Sequence, residues 1–208
     1  ILHDEYGIDP ASVHYFTGGE ETPGREEKLK LNLPERFRLT PIGPDQTLAR
    51  MLADGEIDAL YTARAPSTFT SEPHAVRRLF PDFVTREQDW FARTGIFPIM
   101  HVVGIRKELA EQNRWLPAAV FKAFGESKAK ALELLADTSA TKVTLPFVEE
   151  QLKAARETLG NDFWSYGVEP NRKTIEAFLH HHHAQGLSCR KVGLDELFHP
   201  STYESYSI

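Results

Sequence analysis

Two side chains in this sequence are placed where they could do proton and carboxylate chemistry. His101 sits inside the apolar run "TGIFPIMHVVGI", and Arg64 directly follows the apolar run "IDALYTA". An imidazole titrates near neutral pH and can hand over a proton. A guanidinium offers forked donors that take both oxygens of a carboxylate at once. Each also has an ordinary structural use: His101 as a core histidine held by one or two hydrogen bonds, Arg64 as a surface arginine on a loop. The elements that hold them decide between these uses.

In Ile96–Ile105 the apolar residues fall on both alternating faces, which predicts a central strand buried on both sides. His101 would share a face with Phe97, Ile99, Val103 and Ile105. Pro98 points to an irregular end, because a central strand rarely tolerates a missing N–H. Ile57–Ala63 likewise reads as a buried strand, with Arg64 at its carboxyl end. In open α/β sheets that end is where ligands sit.

The rest of the chain alternates strand and helix signals. Ser12–Thr17 ("SVHYFT") is β-branched and aromatic and runs into the Gly18-Gly19 turn. "EETPGREEKLKL" reads as a charged loop, and Phe37–Ile42 ("FRLTPI") as a short strand. Asp45 can cap a helix carrying Leu48, Met51 and Leu52, with Gly55 as its stop. Helical patterns follow near His74–Phe80, over Thr85–Arg93, at Lys107–Asn113 and from Pro117 to Leu135. The last of these turns Val120, Phe121, Phe124, Leu132 and Leu135 inward. Val148, Leu152, Ala155 and Leu159 recur at helical spacing. A final helix opens at Pro170, with Ile175, Phe178 and Leu179 on its apolar face.

Strands alternating with helices imply an α/β fold with largely parallel sheets flanked by helices. Loops at Gly43-Pro44 and Ala65–Pro73 are the candidate boundaries. They suggest an α/β portion over 1–64, a crossover and central-strand region over 65–116, and a mainly helical region over 117–208.

Bulk properties narrow the classes. With 208 residues, 41% of them hydrophobic, the chain can bury a real core without metal or disulfide staples. A net charge of -6 and a pI near 5.9 argue against nucleic-acid backbone binding. The single cysteine, Cys189, excludes an internal disulfide framework. No apolar run approaches the roughly 20 residues a membrane span needs. The chain opens at Ile1 inside what reads as the end of a helix, "ILHDEYGI", so it is expected to be a fragment or a processed chain, and it is silent about targeting.

Other chemistry is weaker. Neighbours in "HHHH" (His180–His183) point about 100° apart on a helix, so the four cannot share one ion, and no metal site is expected. Cys189 in "GLSCRKV" reads as a silent thiol. Gly18-Gly19 lacks a nucleotide fingerprint. "DFWSYG" (Asp162–Gly167) reads as a core lid, although a Trp/Tyr pair could cover an aromatic ring.

Taken together, "EYGIDPASVHYFTGGEETPGR", "LADGEIDALYTARAP", "TGIFPIMHVVGIRKEL", "WSYGVEPNR", "HAQGLSCRKV" and "DELF" resemble the 4,5-dihydroxyphthalate decarboxylase family over essentially the whole chain. The resemblance implies the two-lobed periplasmic solute-binding fold of the second type, incomplete here at the N-terminus because family members are longer. It implies loss of one carboxyl group from a dihydroxylated aromatic dicarboxylate, giving protocatechuate in aromatic-compound degradation. The alternative on the same fold is a solute-binding protein that captures an aromatic or pyrimidine-like ligand for import without chemistry. Fold alone does not separate the two.

The chemistry needs a proton donor tuned near neutral pH, cationic grips for carboxylates and a dry slot for the ring. By residue type and predicted strand ends, His101 is the expected donor and Arg64 the grip. Glu21 would set the histidine tautomer or take a phenolic proton. Thr17, Gly18 and Gly19 would supply polar contacts, with Tyr61 and Phe97 as further substrate-binding candidates. No cofactor is expected, since the hydroxylated ring is its own electron sink. The expected partner is a small aromatic carboxylate, with no nucleic acid and no membrane, and a homo-oligomer is left open. A decarboxylase would be cytoplasmic and a solute-binding protein periplasmic.

Overall fold

A computed structural model describes residues 1–26, 33–139 and 142–203. Of the charged stretch after Gly19, residues 27–31 lie outside this range. The chain divides into two compact units, Ile1–Asp82 with Gln185–Leu187, and Phe83–Ala184 with Ser188–Ile208.

The first unit opens with α1 (Leu2–Tyr6), whose end Gly7 closes in the left-handed conformation, φ 67°. β1 (His14–Thr17) and β2 (Arg38–Pro41) follow and pair in parallel, in the register His14 with Arg38 through Thr17 with Pro41. Both lie within the stretches that the β-branched and aromatic residues mark. Pro41, which has no N–H to give, ends its strand. The amide of Ile42 then donates to the Thr17 carbonyl at 2.9 Å.

α2 (Leu48–Asp54) turns Ala49 and Met51 into a small core. Its cap is Thr47 rather than the expected Asp45: the Thr47 hydroxyl accepts from the Arg50 amide at 3.3 Å. Gly55 (φ 76°) ends the helix as expected. α3 (Ser67–Ser71) packs beside it, with Thr68 buried. Arg50 pairs with Asp54 at 2.6 Å and with Glu72 at 2.7 Å, tying α2 to the residue after α3.

The second unit is helical: α4 (Phe83–Thr94), α5 (Lys107–Gln112), α6 (Leu116–Ala136), α7 (Val148–Leu159), α8 (Val168–Ala184) and α9 (Leu194–Leu197). Its core is Val168, Ile175 and Leu179 of α8 with Leu194 of α9, flanked by Val192, Phe198 and Tyr203. No helix among the described residues is long and apolar enough to cross a membrane.

The chain is thus mixed α and β, mostly helical, with a small parallel sheet. Several expectations need correction. Ile57–Ala63 forms no strand. The amides of Glu56 and Ile57 fold back onto the Met51 carbonyl, so the chain is spent on closing α2. Tyr61 is 74% exposed. His74–Phe80 is no helix; the proline-bracketed stretch turns, and the helix forms earlier, at Ser67. Ile96–Ile105 is neither paired nor buried: Met100, Val102 and Val103 are all exposed. Strand periodicity reports side-chain type, but a strand exists only where a neighbour accepts its ladder bonds. Phe124 and Phe178, expected inward, face solvent.

Candidate functional site

In the first unit, two loops carry candidate residues and are joined by two acids. The loop after β1 runs through Thr17, Gly18, Gly19, Glu20 and Glu21. Its main chain serves the start of α2, because the Gly19 and Glu20 carbonyls accept from the Leu48 and Ala49 amides at 3.0 Å each. A helix start would otherwise leave these donors unpaired. The glycines are required by packing. A methyl group at Gly19 would lie 1.8 Å from the Thr22 carbonyl oxygen, and one at Gly18 would lie 2.3 Å from Ile42 Cγ1.

The acids bind the second loop. Glu20 accepts from the Thr62 hydroxyl at 2.5 Å. Glu21 accepts from the Ser67 amide at 2.6 Å and from its hydroxyl at 2.8 Å. Between these anchors lies Arg64, exposed, with its amide donating to Thr62 Oγ1 at 3.3 Å. Its guanidinium has no hydrogen bond or ion pair among the described residues. A fixed backbone under an uncommitted guanidinium is what a carboxylate grip needs. Tyr15 donates to the Pro10 carbonyl at 2.9 Å, and its phenol is pushed up by burial first, then by Tyr61 and Asp9.

In the second unit, His101 and Phe97 share the irregular segment after α4. His101 is exposed, and its ring has no hydrogen-bond partner among the described residues. The core-histidine reading therefore falls. Phe97 is half-buried, edge-on to Trp164 with centroids 5.6 Å apart.

The structure thus ties the loops bearing Thr17, Gly18, Gly19 and Glu21 to those bearing Tyr61 and Arg64, and puts Phe97 and His101 on one segment of the other unit. Sequence reading missed Glu20, Thr62 and Ser67, whose contacts span 42 and 46 residues and leave no local pattern. Two shallow concavities, of about 80 and 230 Å³, flank the end of α6 and α7, and no candidate residue lines either.

The histidine run makes separate contacts. His182 tilts against Phe178, His180 meets His181 edge-on, and His183 Nδ1 lies 3.3 Å from the Ser188 carbonyl. Among the described residues no group of three or more His, Cys, Asp or Glu is placed to hold a metal ion.

No protein-family model matches the chain. The 4,5-dihydroxyphthalate decarboxylase of Comamonas testosteroni is 48% identical over all 208 residues, which span 63% of that protein. The 4,5-dihydroxyphthalate decarboxylase of Pseudomonas putida is 37% identical over 91 residues, 44% of this chain and 35% of that protein. The chain therefore spans less than two thirds of the length of these relatives. With nearly half of all positions identical from one end to the other, the chain is similar throughout its length to proteins named 4,5-dihydroxyphthalate decarboxylase.

Proposed function

We propose that this protein decarboxylates 4,5-dihydroxyphthalate to protocatechuate. The observation that carries the reading is the 48% identity, over the whole chain, to a relative of that name. The complete protein is proposed to adopt the two-lobed solute-binding architecture of the second type.

The chemistry follows from the substrate. Ring hydroxyls make the carbon bearing a carboxylate electron-rich, so it accepts a proton. As the bond to the carboxylate breaks, its electron pair returns to the ring and restores aromaticity. One proton is consumed and one carbon dioxide leaves. The ring itself holds the electrons, so the reading calls for no cofactor.

His101 is the proposed proton donor, an imidazole with no competing partner among the described residues. Arg64 is the proposed carboxylate grip. Glu21 enters as a positioning residue, since both its oxygens are engaged by Ser67 on the loop that carries Arg64. Thr17, Gly18 and Gly19 supply the close turn, while Tyr61 and Phe97 offer aromatic surface.

The test is to incubate the full-length protein with 4,5-dihydroxyphthalate and follow protocatechuate and carbon dioxide together. Equal release of both is expected. Binding without turnover would overturn the decarboxylase reading in favour of a receptor.

A further inference from the structure

The "DFWSYG" turn is clamped from two helices. Lys128, in the middle of α6, has a side chain only 17% exposed. A lysine this covered is rare unless paired, because its ammonium needs acceptors for three N–H groups. Its ammonium finds them in one short loop: Asp162 Oδ1 at 2.6 Å, the Trp164 carbonyl at 3.1 Å, and the face of the Tyr166 ring, 4.8 Å to the centroid. From α8, Asn171 Nδ2 donates to the carbonyls of Ser165 at 3.0 Å and Gly167 at 2.9 Å.

The clamp leaves one large apolar side chain in the open. Trp164 is 43% exposed, on a main chain that cannot drift, with its ring set at 67° to Phe97. No main-chain hydrogen bond holds residues 97–105 among the described residues, and Phe97 meets Trp164 edge-on. An exposed indole held in place is poor design for a core but good design for a ligand surface, because its ordering cost is met before binding. His101 lies four residues past Phe97. At about 3.3 Å of extended chain per residue, their Cα atoms are within about 13 Å, a span that two side chains can close on a benzenoid ring.

We propose that Trp164 and Phe97 form an aromatic corner that receives the planar ring of the substrate, with Lys128 as the positioning residue that holds Trp164. The identity of that ring rests on the decarboxylase reading.

Calorimetric titration of the full-length protein with 4,5-dihydroxyphthalate and with protocatechuate tests this apart from turnover. Trp164→Leu is expected to weaken both affinities roughly two- to tenfold, the range of an aromatic pair contact. Trp164→Phe, which keeps an aromatic face, should lose less. Lys128→Met should weaken binding by a similar factor, with Lys128→Arg restoring most of it. Because Lys128 acts through Trp164, adding Lys128→Met to Trp164→Leu should cost nothing further. Unchanged affinity in Trp164→Leu overturns the aromatic corner, and additive losses overturn the positioning role. A wild-type protein that binds but releases no carbon dioxide defeats the decarboxylase reading, while the affinities still decide this one.

Discussion

Both carboxylate oxygens of Glu21 are taken up by Ser67, one by its amide at 2.6 Å and one by its hydroxyl at 2.8 Å, across 46 residues of sequence. The acid thereby fixes the entry to α3 and, with the Glu20–Thr62 bond, the backbone on which Arg64 stands. A carboxylate so engaged holds a loop and has little left to accept a proton.

Removing that hold should show in stability before chemistry. Glu21→Ala is expected to cost about 1 kcal/mol, the usual loss for an acceptor at a helix start. Glu21→Gln, which keeps one carbonyl oxygen, should cost less. Thermal melts rank the two. A rate loss of roughly 10²-fold or more in Glu21→Gln would instead mark the acid as a proton acceptor.

Arg64 makes the opposite case. Its guanidinium makes no hydrogen bond or ion pair among the described residues, so Arg64→Ala should leave stability within about 0.5 kcal/mol. If Arg64 is the proposed two-pronged carboxylate grip, its loss, worth about 1.5–3 kcal/mol, should raise KM roughly 10- to 150-fold. Arg64→Lys should recover only part, because an ammonium cannot match both oxygens in one plane. Steady-state kinetics on the full-length protein decide it.

His101→Gln tests the proposed proton delivery. The side chain is exposed and unbonded, so thermal melts should superimpose on wild type. The rate should fall roughly 10²–10⁴-fold with KM little changed. A variant at full rate removes His101 from the chemistry.

Acid should weaken the second unit through Glu196. The Arg190 guanidinium and the Gly193 amide hold its carboxyl down to about 2. A depressed folded-state value means the contribution is present above the ordinary value of 4.5 and is lost as pH falls through about 2. The melting-point difference between wild type and Glu196→Gln should therefore shrink between those limits. A difference that stays constant across them shows that the pair is not linked to folding.

Gly19→Ala should be the costliest single methyl in the first unit. The carbonyl of Thr22 stands in its way and belongs to main chain, which cannot swing aside. A loss of about 1–3 kcal/mol is expected by denaturant unfolding. Gly18→Ala should cost less, since it meets the flexible Ile42 side chain.

The amino-acid sequence by itself determined what depends on near neighbours. Helical spacing placed α4, α6, α7 and α8 within a few residues, glycine ended α2, and β-branched runs marked β1 and β2. The motifs carried the resemblance to proteins named 4,5-dihydroxyphthalate decarboxylase. Tertiary structure decided everything that needs a distant partner. "IDALYTA" and "FPIMHVV" carry strand composition, yet neither is a strand among the described residues, because ladder bonds come from another segment and the composition of one run does not encode it. For the same reason Thr47 displaced Asp45 as cap and Glu21 became a strap for the loop of Arg64, while Lys128 emerged as the clamp on Trp164. Hydrogen-bond partners 34–46 residues apart are chosen by how the chain folds back, and only coordinates report that choice.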